Sequence, residues 1–264
     1  MAFSNQLFFL FLLLLSVASN THGADLISKK CGSTPAANNS ALQANINSII
    51  LDLVTKTTAN GFANSTYGYK NDAVYGTAEC RGDVNGQVCS ACIVAAGQEI
   101  QTSCANTTES RIWYHQCSLR YSTTNFMGQP DTALLSMLRS TSAPKDPQAF
   151  NKTLKEMFSV LTVAAASSGE RRKFAWGKIE RHGKVTNEGA IITVYGMAHC
   201  TWDLEESPCS ACLGAALSNV NEEWDGYYIM LKSCAVRYEV YPFLFLNAAP
   251  NPAIDTGNVT FSNI

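Results

Sequence analysis

The chain has 264 residues, a formal net charge of -2 and only 15% charged residues. That balance excludes the basic footprint of a nucleic-acid binder, and the longest basic run is the triplet Arg171-Arg172-Lys173. Ten cysteines stand out against this background.

The first element is an apolar run, Leu7 to Leu15, extended by Ser16-Val17-Ala18. A membrane span needs about 20 apolar residues, so the run reads as a signal-peptide core, with cleavage expected at Gly23/Ala24 and residues 1–23 removed. Tyr241 to Ala249 is short and holds Pro242, and the tail 249–264 is polar without a lipid-anchor signal, so no membrane span is expected. The expected product is secreted and extracellular. Five N-x-S/T sequons (Asn38, Asn64, Asn106, Asn151 and Asn258) are candidate glycosylation sites in that compartment.

After the signal, Cys31-Gly32 precede a Ser/Asn/Ala-rich entry. Leu42, Ile46, Ile49, Ile50 and Leu53 then fall at helical spacing, which predicts an amphipathic helix over 40–57. Aromatic and β-branched segments at 67–69 and 74–78 read as strands. A second helix is expected over 90–104 with Ser90 as its N-cap. Strands at 112–114 and 119–124 carry Cys117 between them. Residues 129–147, holding Pro130, Pro144 and Pro147, read as a linker whose Leu134, Leu135, Met137 and Leu138 pack against a domain.

The second half repeats the order. Phe150, Leu154, Met157, Phe158 and Leu161 make the helical stripe. Strands are expected at 173–179 and 190–198, across the charged turn 180–184. A short helix at 210–220 and strands at 227–231 and 235–246 follow. Each module is one helix, strands, one helix, strands, so the expected architecture is α+β with helices on one face of an antiparallel sheet. The modules are placed at 24–128 and 148–248.

The cysteines fix the repeat. Cys80, eight residues, Cys89-Ser90-Ala91-Cys92 and then Cys117 return as Cys200, eight residues, Cys209-Ser210-Ala211-Cys212 and then Cys234. Tyr75-Gly76 and Ala78 match Tyr195-Gly196 and Ala198 at an offset of 120, and Arg120-Tyr121 match Arg237-Tyr238. Cys31 and Cys104 have no counterparts, and both are missing together. Loss of a bonded pair strands no thiol, which points to Cys31–Cys104. For the rest, Cys80–Cys89 with Cys92–Cys117 competes with a bond inside Cys89-x-x-Cys92, and the same choice holds for Cys200, Cys209, Cys212 and Cys234. A redox pair or half of a zinc site is the other use of C-x-x-C, though an exported chain would oxidise a thiolate cluster. No metal and no cofactor are expected.

The doubled C-x8-C-x2-C block behind a signal peptide resembles the plant cysteine-rich repeat secretory proteins, whose module is similar to ginkbilobin, the stress-antifungal domain. The resemblance implies two helices against a five-stranded antiparallel sheet in each module, and the pairings Cys80–Cys89, Cys92–Cys117, Cys200–Cys209 and Cys212–Cys234. Ginkbilobin grips mannose with an Asn after its first cysteine, an Arg before its last and a Glu beyond that. Those positions in the first module are Gly32, Arg111 and Ser122. In the second, the first cysteine is absent, the Arg position is Tyr228 and the Glu position is Glu239. The carbohydrate-binding candidates are therefore Arg111 and Glu239, one from each module, since Arg donates and Glu accepts from vicinal hydroxyls.

No G-x-S-x-G, H-E-x-x-H or phosphate loop is present, and catalysis is not expected. Glu205-Glu206 and Glu222-Glu223 are adjacent pairs without the separation a glycosidase needs. Trp113, Trp176, Trp202 and Trp224 read as core aromatics before sugar-stacking ones. The expected function is a secreted, mannose-type carbohydrate-binding defence protein with an antifungal role, directed at mannose-containing glycans of a fungal wall. The alternative is an extracellular protein-interaction module in apoplastic or stress signalling, without sugar binding.

Overall fold

The structure, a computed structural model, describes residues 25–33, 39–167, 173–182, 191–245 and 257–260. The signal segment, Asn38 and most of the tail lie outside them. The first module holds strand β1 (Leu26–Cys31), helix α1 (Ser40–Asn60), β2 (Phe62–Tyr67), β3 (Val74–Cys80), α2 (Gly86–Ser103), β4 (Glu109–Tyr114) and β5 (Cys117–Ser122). The second holds β6 (Leu134–Arg139), α3 (Pro147–Ala166), β7 (Phe174–His182), β8 (Ile191–Cys200), α4 (Glu206–Leu217), β9 (Tyr227–Leu231) and β10 (Cys234–Glu239). A last strand, β11 (Gly257–Thr260), lies in the tail that composition marks only as polar.

Among the described residues, three of the four α-helices start at a side-chain N-cap. The Asn39 side chain accepts from Leu42 N at 3.0 Å, and Asp146 accepts from Ala149 N at 3.0 Å with Pro147 in the first turn. Helix α2 begins a turn before the expected Ser90, because Asn85 accepts from Val88 N at 2.8 Å and closes the free N–H groups there. Helix α4 starts at Glu206 without a side-chain cap and ends at Leu217, ahead of the 210–220 expected.

The first sheet runs β1-β4-β5-β3-β2, all antiparallel. The second runs β7-β8-β10-β9-β6 antiparallel, with β11 added parallel to β7 at the edge. The stretch expected as a linker thus supplies β6, which completes the second sheet at the position β1 holds in the first. Helices α1 and α2 cover one face of the first sheet through Leu42, Ile46, Ile49, Leu53, Ile93 and Ile100. Helix α3 covers the second through Phe150, Leu154, Met157, Phe158 and Leu161, and α4 through Leu213 and Ala216.

The other two faces cover each other, and the contacts exchange roles between modules. Arg111 donates to the Lys232 carbonyl, while the equivalent Tyr228 stacks on His115, the counterpart of Lys232. Gly128 N donates to Asp203 at 2.8 Å, and Phe245 N donates to Asp83 at 3.0 Å. Glu79 and His199, each one residue before a repeat cysteine, meet at 3.9 Å. This is a two-fold arrangement inside one chain, in which one patch meets its own copy. Phe174, Trp176, Met197, Tyr228 and Met230 form the apolar centre of the seam, with Ile27 of β1 packed against them. Gly82 is required there, since a Cβ would lie 2.6 Å from the Phe174 side chain.

All ten cysteines are bonded, as Cys31–Cys104, Cys80–Cys89, Cys92–Cys117, Cys200–Cys209 and Cys212–Cys234. No thiol is left for zinc or for redox exchange. Each short bond ties the strand before the second helix to that helix, and the next ties the helix to the last strand.

Removing the bond that only the first module has, with Cys31→Ser and Cys104→Ser together, is expected to cost about 4 kcal/mol, from the loop it closes. Phe174→Ala removes a side chain that is 1% exposed at the seam and is expected to cost roughly 3 kcal/mol. Denaturant unfolding measures both, and for Phe174→Ala probes in the two modules should still report one transition.

Candidate functional site

A cleft opens where the first module's edge meets the second module. It has about 410 Å³ of empty space open to solvent and is lined by Lys30, Gly32, Glu109, Arg111, Arg120 and Lys232, among others. Strands β1, β4 and β5 bring the first five together, and the β9–β10 turn brings Lys232. Two of the three positions that the resemblance marks, Gly32 and Arg111, therefore line one cleft.

Arg111 is only 8% exposed. Its Nη1 donates to the Lys232 carbonyl and its guanidinium lies 4.4 Å from the Trp113 ring centroid. Its Nε has no hydrogen-bond partner. Burial, and then the like charge of Arg120, push its pKa down to about 10, so it stays cationic at neutral pH. Gly32 leaves no room for the amide side chain of the family pattern, because a Cβ would sit 2.7 Å from Glu109 Cγ and 2.8 Å from the Glu109 carbonyl. Ser122 is buried, and its Oγ accepts from Thr124 N at 3.1 Å.

Glu239 is elsewhere. It is buried at the far end of β10, pairs with Arg237 at 2.9 Å and packs against Gly226. Burial raises its pKa, and Arg237 works against that rise. Gly226 and Lys232 flank β9 on either side, roughly 20 Å apart at strand rise. The structure does not bring Arg111 and Glu239 into one site. Tyr228 is fully inside the seam.

The remaining candidates separate by environment. Trp113 and Trp176 are buried, and Trp202 stacks on Phe62 at 5.1 Å across the seam. Arg139 lies 3.9 Å from the Trp224 ring centroid. Asn64 and Asn106 are exposed and Asn151 is half-buried. Lys30 and Arg120 were not legible as cleft residues, because only the strand order β1-β4-β5 places them beside Arg111, and Lys232 arrives from the other module's β9–β10 turn. Among the described residues no helix is long and apolar enough to cross a membrane.

Behind the cleft the seam is polar. Glu79 is 3% exposed, accepts from Trp202 N at 2.9 Å and has its pKa pushed up to about 8, chiefly by burial. Burial pushes His199 down to about 4, helped by the Arg81 charge. Arg81 is held by a two-pronged pair with Asp83, at 2.6 and 2.8 Å.

A family model described as salt stress response/antifungal matches residues 30–124 and 138–241. Cysteine-rich repeat secretory protein 55 of Arabidopsis thaliana is 34% identical over 241 residues, which cover 88% of this chain and 89% of that protein. An antimicrobial ginkbilobin-2-like protein of Castanea crenata is 32% identical over 203 residues, covering 76% of this chain and 80% of the relative. Among solved structures, the tandem DUF26 ectodomain of the Arabidopsis thaliana cysteine-rich receptor-like protein PDLP5 superposes with a TM-score of 0.64 at 26% identity, covering 83% of this chain and all of that one. The corresponding ectodomain of PDLP8 gives 0.67 at 24% identity, covering 82% and 98%.

The seam pair sets a pH dependence. Glu79 has a folded pKa above its unfolded value, so its contribution is present at low pH and lost as pH rises towards about 8. His199 has a folded pKa below its unfolded value, so its contribution is present above pH 6.5 and lost as pH falls through about 4. Between about 4.5 and 6.5 the folded and unfolded states bind equal numbers of protons at this pair, and its effect is flat. From pH 6.5 to 8 stability should fall by on the order of 2 kcal/mol, and Glu79→Gln should flatten that limb in urea titrations across pH.

Proposed function

The chain belongs to the salt stress response/antifungal family, and from that membership we propose that it is a secreted, extracellular glycan-binding protein of plant defence that acts by binding rather than by catalysis. The observation that carries this reading is the open cleft at Gly32 and Arg111, two of the positions the family resemblance marks. Arg111 presents a buried, cationic guanidinium to it with Nε unpartnered. A sugar hydroxyl is an acceptor of the kind that group lacks. The relatives named secretory and antimicrobial support the compartment and the antifungal role.

The narrower, mannose-type form needs an amide and a carboxylate beside the Arg. Gly32 and Ser122 supply neither, and Glu239 lies at the other end of the β9–β10 hairpin. Fungal-wall mannan is therefore the probe for the narrow form, and whole fungal wall for the broad one.

A second reading, an extracellular protein-interaction module, is favoured by β6. This edge strand exposes Leu134, Met137 and Leu138, each about half open to solvent. Exposed apolar edges accept an added strand from a partner. The match to ectodomains of receptor-like proteins agrees with it.

The readings separate in a sedimentation assay on insoluble fungal wall. The glycan reading expects the protein to pellet saturably, and Arg120→Ala to weaken pelleting about tenfold with an unchanged unfolding transition. A folded protein that stays in the supernatant contradicts it. Lysines at Leu134 and Leu138 should leave pelleting intact.

A further inference from the structure

Three cations occupy one row across three neighbouring strands. The register sets Lys30 directly opposite Arg111 across β1–β4, and Arg111 directly opposite Arg120 across β4–β5. Side chains directly opposite in an antiparallel pair share a face, with Cβ atoms about 5 Å apart, and like charges there are destabilising. The next residue in the row, on β3, is Thr77, so the row contains no carboxylate. Lys232 adds a fourth cation from the second module, with Asp131 paired to it at 2.8 Å. Glu109 is the one carboxylate among the residues lining the cleft. On a chain of net charge -2 this concentration is local.

Asp131, Asp203 and Glu109 offset part of the charge on Arg120, and Glu79, Asp203 and Asp131 part of that on Arg111, but none of them stands in the row itself. Two features say the row faces a ligand. Arg111 is more than nine-tenths buried with Nε unpartnered, and it lines the cleft. The Arg120 guanidinium carbon lies over Phe126, 3.8 Å from its ring centroid, which holds the cation at the cleft. A planar, acceptor-only carboxylate matches guanidinium forks. The departures from the family pattern run the same way. The amide position is closed by Glu109 and the carboxylate position is Ser122, so the groups that would grip a neutral sugar are gone while the cations remain.

We propose that the cleft takes a carboxylated sugar, a uronate unit of an acidic glycan. Its carboxylate lies along Lys30, Arg111 and Arg120, and its hydroxyls reach Glu109. This assignment rests on the glycan-binding reading above and names its substrate class. Glu109 supplies the acceptor that distinguishes a sugar acid from a bare anion.

The test is calorimetric titration of the full mature protein with trigalacturonate, its methyl ester, mannose and inorganic phosphate. Saturable binding of trigalacturonate is expected, weakening as salt rises. The uncharged methyl ester should bind about tenfold more weakly, as should trigalacturonate to Lys30→Glu. Lys30 is exposed, so that variant should keep the unfolding transition, and Lys30→Gln gives an intermediate loss without charge reversal. Equal binding of acid and ester, or binding of mannose alone, would leave the glycan reading standing and overturn the uronate assignment. Phosphate binding as tightly as trigalacturonate would make this a simple anion site and overturn it as well. No binding of any of the sugars would remove the uronate assignment, and a protein that also stayed off fungal wall would remove the glycan reading with it.

Discussion

The fold depends on two sheets hiding each other's inner face. Each module covers one side of its sheet with two helices and has nothing of its own for the other side. That side carries Glu79, Arg81 and Arg111 in one module and His199, Tyr228 and Glu239 in the other. Alone, either face would present charged and aromatic groups together, too polar for a core and too apolar for water. Packed against its own repeat, each finds partners: the Trp202 amide for Glu79, the Lys232 carbonyl for Arg111, the Phe245 amide for Asp83. The near two-fold symmetry follows from duplication, because a patch that meets its own copy satisfies two sets of groups with one set of residues.

The same constraint explains why the two modules differ in chemistry. Contacts on the axis tolerate substitution in one copy if the other adapts, and Glu79 faces His199 where identical residues would have met as like charges or as two unpaired groups. Each is held neutral by burial at neutral pH, which avoids a fully desolvated ion pair. The seam also produces the cleft. Lys232 reaches it on the β9–β10 turn, whose Lys232 carbonyl accepts from the Arg111 guanidinium. A site built at a boundary between two packed units is a common place for ligands.

Much of this was legible in the sequence. The repeat, the module count and the absence of Cys31 and Cys104 counterparts follow from cysteine spacing, and the structure bonds those two cysteines to each other. Helical stripes showed in both halves because their apolar faces recur at the helical period. Strands β1 and β6 were not visible. Ile27 and Leu135 are the only residues of these edge strands that pack on the seam's apolar centre, and edges that keep one side in water lose the alternation that marks a strand. The family pattern marks Arg111 and Glu239, and the structure sets them at opposite ends of the β9–β10 hairpin, an order that sequence position does not give. Lys30 carried no signal, and Arg120 carried only that of the repeat. Their proximity depends on β1 pairing with β4, a contact between residues some eighty apart along the chain, which spacing cannot express.

Hydrogen exchange of the whole protein with and without trigalacturonate tests most directly whether this seam cleft is where the protein works. The account expects slowed exchange at Lys30 to Gly32, at Glu109 to Arg111 and at the Lys232 turn together, since one ligand would bridge both modules. Slowing confined to the helices, or to the edge of β6 alone, would contradict it and move the site elsewhere on the molecule.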